Sequence, residues 1–132
     1  MRTRNWDTRL VTWAERVRGQ PFVWGETDCG SLVKQAYKII TGKRIGWPAY
    51  KGKTAALRAM TKVGGIPAAL EKVAKPVGRG FAQSGDVVLV KVDDGYGMGI
   101  VVGDNVVGTY PGYPVTLVPL RVIPDTALFW RV

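Results

Sequence analysis

The order of patterns along the chain predicts an α+β fold, with helices first and an antiparallel sheet after them. Three observations carry that expectation. Residues 5–40 hold two segments whose apolar side chains recur at the helical period of about 3.6 residues. From Asp86 onward, short β-branched stretches alternate with glycine-containing turns, as in successive antiparallel strands. At 132 residues the chain has the size of one domain and is large enough to bury a core without staples. The expected organisation is a single domain over residues 1–132, helical from about residue 5 to 75 and sheet-forming from about 84 to 132.

The first helix is expected from Asn5 to Arg18. Trp6, Leu10, Trp13, Ala14 and Val17 share one face, Asn5 is a candidate cap, and Gly19 follows as a stop. Core packing is the expected role of Trp6 and Trp13 on that face. Pro21 starts an extended approach to a Trp24-Gly25 turn. Asp28 is a good N-cap for a second helix reaching about Ile40, whose broad apolar stripe is Leu32, Val33, Ala36, Tyr37, Ile39 and Ile40. Thr41-Gly42 ends it. Residues 43–53 read as a loop, Thr54 to Val63 as a short third helix stopped by Gly64-Gly65, and Pro67 as the first turn of a fourth that ends near Val73. Pro76, Gly78 and Gly80 mark another loop. Five strands are expected after it: Asp86–Val92, Gly97–Val102, Val106–Tyr110, Val115–Leu120 and Ala127–Val132. Asp93-Asp94-Gly95 and Gly103-Asp104-Asn105 supply the first two turns.

Composition narrows the function. One cysteine cannot form an internal disulfide, and with no histidine in the chain a structural zinc site of about four nitrogen or sulfur ligands is not expected. No metal or cofactor is expected. Met1 to Leu10 lacks the apolar core of a signal peptide, and no apolar run approaches the roughly 18 residues of a membrane span. The net charge of +9 is concentrated in the middle: residues 34–79 hold eleven Lys or Arg against the single acid Glu71. Such a run is a solvated face, or a contact surface for an acidic protein, a nucleic acid or an anionic envelope polymer. No phosphate loop, zinc finger or RNA-binding signature accompanies it, which argues against nucleic acid. Trp47 and Tyr50, with Lys43, Arg44, Lys51 and Lys53, lie on a Pro- and Gly-containing basic loop and are expected to form a binding surface; Trp24 is expected to line a cleft or to pack.

Cys29 follows the turn and opens the second helix. Free N–H groups and the helix dipole at that place favour a thiolate, lowering the pKa from about 8.5. Cysteine is also often a small buried hydrophobe.

The stretch from Phe22 to Tyr37, with Trp24-Gly25, Asp28-Cys29-Gly30 and Leu32-Val33, resembles the cysteine motif of NlpC-type papain-like cell-wall peptidases. Ser84-Gly85-Asp86-Val87-Val88-Leu89 resembles the start of that superfamily's first core strand. Gly97-Met98-Gly99-Ile100-Val101-Val102-Gly103 resembles the strand that carries its catalytic histidine. Order and spacing agree across about residues 20–110. The resemblance implies a papain-like fold with Cys29 as nucleophile, but Gly97 stands at the histidine position. Glycine cannot accept a proton, and losing a general acid–base costs on the order of a hundred- to ten-thousand-fold. Asp28 is a weak base, Tyr96 and Tyr110 are hydroxyl donors but poor bases, and Lys34 points about 140° round the helix from Cys29.

Within the superfamily, the chain most resembles a short phage-encoded branch, in length, in Trp-Gly-x-x-Asp-Cys, in Gly-Asp-Val and in the closing Phe129-Trp130-Arg131 strand. That resemblance implies a structural component of a bacteriophage tail tip or baseplate. It would be made in the host cytoplasm and carried in the virion, with hub, distal-tail or central-fibre proteins as partners and peptidoglycan as a further ligand. Two alternatives stand beside it. One is an active cysteine peptidase or amidase on peptidoglycan, using a base other than histidine. The other is a basic nucleic-acid or envelope-binding module.

Overall fold

The computed structural model describes residues 2–62, 64–92 and 95–132. It is α+β: four helices precede a six-stranded antiparallel sheet among the described residues. Helix α1 is Trp6–Val17 and α2 is Cys29–Thr41. Both follow the predicted stripes. Leu10, Trp13, Ala14 and Val17 of α1 and Leu32, Val33, Ala36 and Ile40 of α2 are buried in one core. Each fully buried large apolar side chain contributes about 1.5–3 kcal/mol. Trp13 also spends its polar end inside: Nε1 donates to Gln35 Oε1 at 2.9 Å, and Gln35 Nε2 donates to the Glu26 carbonyl at 2.9 Å. One buried indole thus ties α1, α2 and the approach to α2 together. Trp6 is only half-buried and carries the Arg2 guanidinium 4.3 Å above its ring. None of the helices described is long and apolar enough to cross a membrane.

Asn5 precedes α1 but does not cap it as expected. It adopts a left-handed conformation at φ 55° and its side chain makes no capping hydrogen bond. Asp28 does cap α2, accepting from the Ser31 N–H. Helix α3 (Lys53–Lys62) begins one residue before the predicted Thr54, and its expected end at Val63 lies outside the described residues. Helix α4 is Ile66–Glu71, starting just before Pro67 and stopping short of Val73.

The sheet holds one strand more than expected. Lys75–Val77, read from the sequence as loop, is strand β1 and pairs with β6 (Leu128–Arg131). The remaining strands are β2 (Val87–Val92), β3 (Gly95–Val102), β4 (Asn105–Tyr110) and β5 (Tyr113–Pro119), in the order β1-β6-β2-β3-β4-β5. Asn105, expected in a turn, opens β4. Strand β5 starts two residues before the predicted Val115. The predicted Asp93-Asp94 part of the β2–β3 turn lies outside the described residues.

The sheet separates two cores. Val87, Leu89, Met98, Ile100, Val102 and Trp130 face the helices. Val88, Val101, Val106 and Phe129 face the other way, covered by Val77, Ala82, Leu120 and Ile123. This period-two alternation fixes which β3 residues look toward α2. Where the sheet meets its flanking turns sits Asp86, fully buried. Arg131 binds it through Nε–Oδ1 at 3.0 Å and Nη2–Oδ2 at 3.1 Å, and the Gln83 N–H donates to Oδ2 at 2.8 Å.

Candidate functional site

Cys29 occupies the first residue of α2, with Asp28 as N-cap. The turn before it is held from within. Thr27, buried, donates its hydroxyl to the Pro21 carbonyl at 2.7 Å and accepts from the Val23 N–H at 2.7 Å. Asp28 is 2% exposed and its carboxylate is fully engaged. Oδ1 accepts from the Gly25 N–H at 2.8 Å and the Ser31 hydroxyl at 2.5 Å; Oδ2 accepts from the Ser31 N–H at 3.4 Å and from the Tyr50 hydroxyl. Every acceptor direction of the carboxylate is spent on structure, which leaves it no free oxygen for a reacting group.

Tyr50 comes from the loop between α2 and α3 and binds Asp28, while Cys29 itself stays partly exposed. Its hydroxyl lies against Gly30, where a Cβ would fall 2.6 Å away, and its carbonyl lies against Gly25, where a Cβ would overlap it. Gly25 has φ 85°, so glycine is needed there twice over, for conformation and for space. The two glycines of the motif therefore admit the loop to the helix N-terminus. Burial and the bond to the Asp28 carboxylate push the Tyr50 phenol pKa well above its ordinary value, so it stays a neutral donor.

The thiol behaves in the opposite sense to the one its helical position suggests. Burial raises the Cys29 pKa; the Met98 backbone N–H opposes this, the Asp28 charge adds to it, and the amides of Gly30 and Cys29 itself again oppose. The helix-terminal amides act as expected, but desolvation outweighs them. An open groove of about 700 Å³ runs beside the site, lined by Val23, Trp24, Gly25, Glu26, Ala49, Tyr50 and Lys51. Cys29 is not among its walls. Tyr50 and Trp24 are, and the half-buried Trp24 stacks edge-on against Phe22 at 4.8 Å.

Gly97 does not complete the site. It pairs with Val90, and a Cβ there would point at Val92 Cγ1, 3.8 Å away, on the sheet face turned from α2. A histidine at residue 97 would project to that face. The β3 residue that meets Cys29 is Met98. The expected loop surface also changes. Trp47 is 7% exposed and belongs to the main core, with its carbonyl accepting from Lys34 Nζ at 3.3 Å, so it is not a surface anchor. Tyr50 is turned inward to Asp28. Lys43, Arg44, Lys51 and Lys53 remain exposed; Lys51 borders the Trp24 groove, and Arg44 lines a separate one with Lys34 and Lys38. Ser31 and Met98 were not singled out from the sequence. For Ser31 the signal was present, since a hydroxyl three residues after an N-cap aspartate falls within its reach.

Both raised pKa values carry the same sign for stability. The unfolded thiol ionises at about 8.5 and the unfolded phenol at about 10. Below about pH 8.5 both states keep both protons, and stability is full. Above it the unfolded chain loses its thiol proton while the folded chain retains it, so stability falls as pH rises, with Tyr50 steepening the loss from about pH 10. Urea titrations between about pH 7.5 and 10 should show this decline, and Cys29→Ala should flatten its first part. A wild-type curve flat to pH 10 would show that the thiol is not desolvated.

The chain belongs to the DUF6950 family, described as a domain of unknown function, whose model matches residues 1–132. No curated protein matches it.

Proposed function

We propose that this chain is a non-catalytic assembly component of a bacteriophage tail tip, built on a degenerate NlpC-like form of the papain-like fold. The observation that carries the reading is the environment of Cys29, partly buried beside a carboxylate with no free oxygen. The motif that resembles a nucleophile's is kept, yet Asp28 is consumed by structural hydrogen bonds, one of them from Tyr50, and desolvation raises the pKa of the partly buried thiol. No histidine exists in the 132 residues to activate it. Such a site contributes a rigid junction between a turn, a helix and a loop. Selection for assembly would keep the junction after the chemistry was lost. The partners on this reading are other tail proteins of the hub, distal-tail or central-fibre type, with peptidoglycan as a further ligand.

Two measurements test it together. Alkylation of Cys29 by iodoacetamide in the folded chain at neutral pH should be at least about tenfold slower than in the urea-unfolded chain. In a phage that encodes the chain, the protein should copurify with virions, and Cys29→Ala should leave infectious titre unchanged. Rapid alkylation joined to cleavage of muropeptides would replace this reading with the hydrolase one. Absence of the protein from purified virions would remove the tail-tip assignment while leaving the inert site intact.

A further inference from the structure

A second groove, of about 450 Å³, lies between the loop at Ala49 and helix α3. Its walls are basic: Lys51 stands on the loop side, and Arg58 and Lys62 on the helix. Its floor is small and apolar, made mainly by Ala55 and Ala59. No acidic residue lines it. The three cations are exposed, and the one ion pair among the described residues is Arg131–Asp86, far along the chain. The charge on this groove is thus uncompensated within the described chain.

The spacing of the cations is informative. Thr54, Arg58 and Lys62 succeed one another at four-residue intervals, so they form one row with steps of about 6 Å along α3. Alternate side chains of an extended peptide recur at about 6.6 Å on one face. A row of carboxylates on every second residue would therefore meet Arg58 and Lys62 in register, with the Thr54 hydroxyl as the next polar contact. Lys51 would close on the same peptide from the opposite wall. The alanine floor admits a peptide backbone and the methylenes of glutamate, and gives no shelf for a base. Single-stranded nucleic acid is held by aromatic stacking platforms together with charge. The two aromatics of this loop are unavailable for that, since Trp47 is in the core and Tyr50 is bound to Asp28.

We infer that the groove between the Ala49 loop and α3 is a docking site for an extended acidic peptide segment of a partner protein, gripped by Lys51, Arg58 and Lys62. This stands apart from the tail-tip reading, because it rests on the groove and not on Cys29 or on the source of the chain. The test is fluorescence anisotropy with a labelled peptide of alternating glutamate and threonine, using the intact chain at low salt. The peptide should bind, and affinity should fall as salt is raised. Arg58→Gln with Lys62→Gln should weaken binding about tenfold, the sum expected of two exposed ion pairs. Lys51→Gln, outside any helix, should weaken it on its own. Lys38→Gln with Arg44→Gln, which alters the separate basic groove at the end of α2, should leave it within about twofold. Equal weakening by the two double variants would show unspecific attraction and overturn the inference. So would tighter binding of a thymidine oligonucleotide of equal charge, or no peptide binding at low salt.

Discussion

Replacing Arg131 with methionine is expected to cost the fold about 3–5 kcal/mol, because it strands a charged Asp86 in the interior. Asp86 has no exposed surface, and Arg131 grips both of its oxygens. The same guanidinium donates to the Phe81 carbonyl at 2.6 Å, and the Asp86 carbonyl accepts from the Val101 N–H at 2.9 Å. The pair therefore joins the last strand, the turn before β2 and the C-terminal end of β3. For a chain of this length a loss of that size lowers the melting temperature by about 10–15 °C. Asp86→Ala should cost less, since the half-exposed guanidinium it leaves behind can return to water. Asp86→Leu combined with Arg131→Met should recover part of the loss, because a buried pair replaced whole by apolar groups is often near neutral. A full cycle in urea, with both singles and the double, measures the coupling. If Arg131→Met cost under about 1 kcal/mol, the pair would be acting as an ordinary surface salt bridge.

This ion pair also shows where sequence reading stops. Gly-Asp-Val was recognisable as the start of a strand, and Arg131 as part of a closing strand, but nothing local says that residues 45 apart would meet. Strand β1 escaped for the same reason. Lys75-Pro76-Val77 is three residues with a proline and no alternation, and it becomes a strand only because β6 arrives beside it. Helices α1 and α2 were legible because their stripes are long and repeat at one period. Asn5 fails as a cap although it is a favourable residue type, because its left-handed backbone turns the side chain away from the first free N–H groups.

The candidate site divides along the same line. Asp28 as a cap is a local property and was readable from its place before the apolar run. The thiol's pKa is a contest between backbone amides, which favour the thiolate, and burial, which depends on the rest of the fold packing around α2. Only the first side of that contest is written near Cys29. Tyr50 and Trp47 looked like surface aromatics because proline, glycine and lysine surround them. Tertiary contacts 22 residues long for Tyr50, and 13 for the Trp47 carbonyl, draw them inward instead. The expectation that Gly97 stands at a histidine position came from order along the chain alone, whereas strand pairing sets which face a residue serves.

The sharpest functional discrimination comes from Asp28. Asp28→Ala removes the cap of α2, worth about 0.5–2 kcal/mol, and leaves the Gly25 N–H and the Tyr50 and Ser31 hydroxyls without their acceptor. The expected total is about 2–4 kcal/mol, read as a lowered urea midpoint with an unchanged slope. Asp28→Asn keeps one acceptor oxygen and the cap, and should cost about half as much. The second effect is on the thiol. The Asp28 charge helps to raise the Cys29 pKa, so neutralising it moves the thiol downward and makes alkylation at mildly alkaline pH faster. If Asp28 serves a catalytic thiol, its loss should instead slow the reaction of Cys29 with substrate-like electrophiles. If it serves as the latch that holds the Tyr50 loop to the start of α2, both substitutions should destabilise the chain, alanine more than asparagine, and both should speed alkylation. Faster alkylation coupled to lower stability is the result that a structural, non-catalytic Asp28 requires.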